Sequence, residues 1–89
     1  MALVLIGDRK IDRAEEVRMV QAIFSLTPAE SRLALGLASG RSLDQLAGDY
    51  GVAMATVKAQ LQSVYTKVGV NRQGALISLL QRLLPPLQD

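Results

Sequence analysis

The feature that most constrains this chain is the helix punctuation between Leu26 and Gly69, where start and stop signals alternate in quick succession. In "LTPAESRLALGLASG", Thr27 is placed to cap a helix, Pro28 suits its first position and Glu30 completes a capping box. Gly40 ends it, and Leu26, Leu33 and Leu37 form its apolar face. In "RSLDQLAGDYG", Ser42 and Gln45 repeat the capping pattern over Leu43, Leu46 and Ala47, and Gly51 is free to turn left-handed. A third helix is expected from Ala53 to Val68 before Gly69, and a last one from Arg72 to Leu84, stopped by Pro85-Pro86. Upstream, Asp12 and Glu15 make another capping pattern ahead of Val17, Val20 and Ile23/Phe24. Helices this short, joined by loops of about three to five residues, predict an all-α domain.

The segment "ALVLIGDRK" is the only credible strand, and nothing else in the chain can pair with it. It is expected to be the last strand of a preceding domain, or to pair with a second copy of itself. The chain therefore divides into 1–24, a strand and linker helix, and 25–89, a helical domain. At 89 residues, only about 60% of the unfolded surface can be buried, so the core is thin.

Composition removes several kinds of chemistry. Cysteine and histidine are both absent, which excludes disulfides, cysteine metal sites, thiol catalysis and imidazole acid–base work. No nucleophile–base pair, Gly-rich phosphate loop or clustered carboxylates stand out, so neither an enzyme nor a cofactor or metal protein is expected. "MALVLI" is far too short to span a bilayer and lacks a cationic leader, so the cytoplasm is the default location. The hydrophobic share of 49% and mean hydropathy of +0.23 are high for a small domain and point to a partner surface.

The net charge of +2 hides an asymmetry. Six cations and seven acids lie between Met1 and Tyr50, whereas Gly51 to Gln88 holds Lys58, Lys67, Arg72 and Arg82 and no acid. An acid-free stretch of that length suits a polyanion.

The expected helices Ser42–Tyr50 and Ala53–Val68, joined across Gly51, have helix-turn-helix proportions. With residues placed every 100°, Val57, Leu61, Val64 and Val68 fall within about 60° and form the core seam. Ala55, Ala59, Gln62 and Thr66 lie opposite, flanked by Lys58 and Ser63. Small residues let a helix press into a major groove roughly 12 Å wide, where Gln62 suits adenine, Ala59 a thymine methyl and Lys58 guanine or phosphate.

From Leu26 to Leu80 the sequence resembles the DNA-binding domain of LuxR-type (LuxR/GerE) transcription regulators. The likeness rests on Leu26-Thr27 with Glu30, Gly40, Ala47, Gly51-Val52, Thr56-Val57-Lys58, Lys67 with Gly69-Val70, Arg72 and Ala75. It implies a four-helix domain, here preceded by a strand and an extra helix, that binds double-stranded DNA. The implied base-reading residues are Lys58, Ala59 and Gln62, with Ser63 beside them. The implied phosphate contacts are Ser42 and Thr56, to which the cations Lys67 and Arg72 are added. Three positions depart from the family pattern: Ala53 stands in place of a capping Ser, Gln60 in place of His, and Asp44 where a basic residue is common. Loss of the cap costs about 1 kcal/mol.

Domains of this type commonly pair through their last helix. On a wheel, Ala75, Leu76, Leu79 and Leu83 span about 100°, enough to cover a core, while Ile77, Leu80 and Leu84 extend the apolar arc to about 200°. Ile77, Leu80 and Leu84 are therefore expected at a homodimer interface, unless the helix Asp12–Phe24 covers them. "ALVLIGDR" also resembles the last strand of the PAS-like sensor domains that precede some of these regulators, which implies an upstream sensor domain in a longer chain; the alternative is a short, single-domain regulator. Two other readings compete: a helical protein-interaction module of the same fold, and a σ-factor region 4-like helix-turn-helix.

Overall fold

The structure, a computed structural model, describes residues 13–83, and all regular structure among them is helical. Five helices follow in order: α1 (Arg13–Phe24), α2 (Pro28–Ala38), α3 (Leu43–Tyr50), α4 (Met54–Val68) and α5 (Gln73–Leu83). The segment read as a strand, the cap Asp12, Leu84 and Pro85-Pro86 lie outside the described residues.

The local signals act as their chemistry requires. At α2, the Thr27 hydroxyl accepts from Glu30 N at 3.1 Å, and the Glu30 carboxylate accepts from Thr27 N at 2.9 Å. At α3, Ser42 and Gln45 make the same reciprocal pair at 3.1 and 2.9 Å. Each box satisfies two backbone donors that a helix start leaves open. Gly51 adopts φ 67°, ψ 36°, and Val52 N donates to Ala47 O at 3.1 Å, which closes α3 and turns the chain into α4. At the end of α1 the left-handed position falls to Ser25, φ 58°, where a side chain is strained.

The centre of the fold is α2. Leu33, Ala34, Leu35, Gly36 and Leu37 are all buried, more of the helix circumference than one neighbour can cover. Accordingly α2 packs against α1, α3, α4 and α5. Residue 36 carries no side chain, and Leu46 of α3 fills the space beside it. From α1 come Val20, fully buried, and Val17 and Phe24, partly buried, whereas Ile23 is 54% exposed. Arg13 also reaches across to α2, donating to the Ser39 hydroxyl at 3.1 Å. The extra N-terminal helix is thus part of the core.

The last helix corrects the expectation for its apolar arc. Leu76 and Leu80 are fully buried and Ile77 packs against the core, while Leu83 is 45% exposed. Leu80 is therefore a core residue with no surface to offer a partner. Burying Leu76 and Leu80 against α2 contributes about 1.5–3 kcal/mol each, which sets the roll of α5. The wheel could not choose that roll, because apolar residues surround most of the helix.

Candidate nucleic-acid interface

The two helices expected to form the helix-turn-helix are α3 and α4, joined across the left-handed turn at Gly51. Val57 and Val64 are fully buried and Leu61 nearly so, as the α4 seam requires, and Val68 is partly buried against the same core. This fixes the opposite side toward solvent. Ala55, Thr56, Lys58, Ala59, Gln62 and Thr66 are all exposed. Lys58 makes no ion pair among the described residues. The Thr66 hydroxyl donates back to Gln62 O at 3.1 Å. The face left open is small, uncharged except for Lys58, and free of acids.

The start of α4 is uncapped. Ala53 occupies the cap position with φ −71°, ψ 153°, and no side chain accepts from the first-turn N–H groups. That leaves the positive end of the helix dipole unneutralised, with the exposed Thr56 hydroxyl in the first turn. Ser42, at the start of α3, is also exposed, and its hydroxyl accepts from Gln45 N while retaining its own proton to donate. Arg72, between α4 and α5, is exposed and makes no ion pair among the described residues.

Two expected contacts stand apart from this face. The Ser63 hydroxyl donates to Glu30 Oε2 at 2.6 Å, and Lys67 Nζ donates to Glu30 Oε1 at 2.8 Å. Both side chains lean toward α2 and away from the Lys58–Gln62 face. Ser63 is only partly exposed, and its hydroxyl proton is committed. Ser63, expected as a base reader, and Lys67, expected as a phosphate contact, are thus both engaged by Glu30. The capping pattern announced one role of Glu30 and concealed the other. Its carboxylate accepts from Thr27 N, Lys67 and Ser63 together, although its side chain is only 9% exposed. Bonds from Lys67 and then Ser63 outweigh desolvation and hold its pKa down to about 2. The sequence signal that could have found this is the pair Ser63 and Lys67, one turn apart on one flank of α4.

Along the outer side of α5 runs an open groove of about 550 Å³, lined by Val70, Arg72, Gly74, Ala75, Ser78, Leu79 and Arg82. It offers a partner a partly exposed apolar strip, Ala75 and Leu79, between two arginines. Of the residues assigned from sequence to the core side of α5, Leu76 is buried as expected, whereas Ala75 and Leu79 are partly exposed along this groove and Leu83 is exposed.

No helix among the described residues is long and apolar enough to cross a membrane, and no group of side chains among them is arranged to hold a metal ion. Comparison with protein-family models, with curated proteins and with solved structures gave no match for this chain.

Proposed function

We propose that this chain is a sequence-specific, double-stranded-DNA-binding domain of a bacterial transcription regulator, of LuxR type. The observation that carries the reading is the solvent face of α4: Lys58, Ala59 and Gln62 are exposed together on a helix otherwise anchored by Val57, Leu61 and Val64. Alanines allow close approach to the groove floor, and Gln62 and Lys58 supply donors for base edges. Ser42, Thr56 and Arg72 supply phosphate contacts around the reading helix and fix its register on the duplex. Two domains pair through the Ala75–Leu79 strip of α5, placing two half-sites about one helical turn apart.

Selection from a random duplex library, followed by gel shift across protein concentration, tests reading and pairing together. An enriched motif with two related half-sites is expected, and failure to enrich any motif overturns the proposal.

The groove on α5 favours a second reading, a helical module that binds a protein partner through Ala75 and Leu79 without reading DNA. Such binding is nearly insensitive to salt, whereas DNA binding weakens steeply as salt rises. A salt titration of whichever complex forms separates the two.

A further inference from the structure

We infer that Glu30 is the positioning residue of the reading helix: by holding Ser63 and Lys67 it sets the roll of α4, and neither of those residues touches DNA. This rests on the DNA-reading proposal and deepens it.

The geometry is that of a stop against rotation. On α4 the core seam of Val57, Leu61 and Val64 fixes which face is buried, and hydrogen bonds at its edge, being directional, define the roll more finely. Ser63 and Lys67 sit together on one flank of that seam, with Lys58 and Gln62 on the other. Glu30 grips the first flank with both carboxylate oxygens, Ser63 on Oε2 and Lys67 on Oε1. It is itself held by Thr27 N, in the first turn of the most buried helix of the fold. A carboxylate bonded this way has directional partners at short range, so α4 cannot roll without stretching two charge-assisted hydrogen bonds. Gln62 immediately precedes Ser63 in the chain, so the clamp acts where Gln62 must meet a base edge. Lys58, one turn nearer the start of α4 and farther from the clamp, is less constrained by it.

Lys67 is the alternative phosphate contact, and the energetics oppose it. Moving its ammonium to a phosphate would strip a nearly buried carboxylate of its strongest partner, leaving an uncompensated charge against α2.

The test uses the full chain and two kinds of measurement. The first is amide hydrogen exchange of the free protein for wild type, Glu30→Gln and the double variant Ser63→Ala/Lys67→Met. The double variant leaves the Thr27–Glu30 capping box intact and covers the case in which Glu30→Gln does not fold. Faster exchange in the second half of α4, with α5 unchanged, is expected; exchange equal to wild type overturns the clamp.

The second measurement uses a duplex selected by the wild-type protein from the random library. Lys67→Met should leave the slope of log affinity against log salt unchanged, whereas loss of a phosphate contact lowers it by about 0.9. The double variant should relax base preference at the positions read by Gln62 more than at those read by Lys58. A shallower slope for Lys67→Met, or base preference lost only at a position that Ser63→Ala alone abolishes, overturns the inference. If the wild-type protein selects no duplex, the DNA-reading proposal fails, and the exchange measurement still decides whether Glu30 clamps α4.

Discussion

Gly36 of α2 and Leu46 of α3 meet so closely that a Cβ built on Gly36 would lie 2.5 Å from Leu46 Cδ2. The absence of a side chain at 36 therefore sets how near α3 comes to the core. Leu46 is 2% exposed and has little room to withdraw. Gly36→Ala gains up to about 1 kcal/mol of helix propensity but overpacks a site where such insertions cost about 1–3 kcal/mol. A net loss of roughly 1 kcal/mol is expected, and a larger one for Gly36→Val. Urea unfolding measures it, and an unchanged midpoint for Gly36→Val would refute the close-packing account.

Two helix ends are open to improvement. Ala53→Ser should add the missing side-chain acceptor at the start of α4 and stabilise by about 1 kcal/mol. Ser25→Gly relieves a left-handed residue at the end of α1, and the larger entropy of an unfolded glycine offsets part of the gain. An increase of about 0.5–1 kcal/mol is expected there. Thermal and urea unfolding of both variants should show higher midpoints.

Glu30 links stability to pH. Its pKa lies at about 2, below the ordinary value of 4.5, because Lys67 and Ser63 stabilise the carboxylate. A depressed acid contributes stability that is present above its unfolded pKa and lost as pH falls toward the folded one. The contribution is at most about 3 kcal/mol near neutrality, and it should decline between pH 4.5 and pH 2. Glu30→Gln should therefore be less stable than wild type at pH 7, with the gap narrowing across that window. Two parallel stability curves would show that the carboxylate charge is not what matters.

On DNA, Lys58→Ala and Gln62→Ala should each weaken binding to a selected duplex by about 1–3 kcal/mol, with preference relaxed at the base pair each one reads. Arg72→Ala should weaken binding to all sequences alike and lower the salt slope by about 0.9. Gel shifts at several salt concentrations distinguish these patterns. If Lys58→Ala and Gln62→Ala bind as wild type does, α4 is not the reading helix.

On α5, adjacent leucines should behave oppositely to the arrangement that the wheel alone suggested. Leu80→Ala removes a fully buried side chain and should cost about 2–5 kcal/mol of stability. Leu79→Lys lies on the groove and should weaken self-association far more than folding. Sedimentation across concentration, with unfolding measured on the same samples, separates the two effects.

What was legible in the sequence is whatever short-range chemistry determines. The capping boxes at Thr27–Glu30 and Ser42–Gln45, the turn at Gly51 and the α4 seam follow from neighbours within one or two helical turns. Their physics is local, so the chain needs no partner to announce them. The candidate reading face follows too, because the residues opposite a clear apolar seam have nowhere to go but solvent.

Only the tertiary structure decided which way α5 rolls. Its apolar arc is nearly continuous, and the choice of Leu76 and Leu80 over Leu79 and Leu83 depends on the surface that α2 presents. Likewise, Glu30 and Lys67 are 37 residues apart, and their pairing exists only because α2 and α4 pack together. Local periodicity sets where helices begin, end and turn their seams; the partners of a charged side chain are set by which helices the core brings into contact.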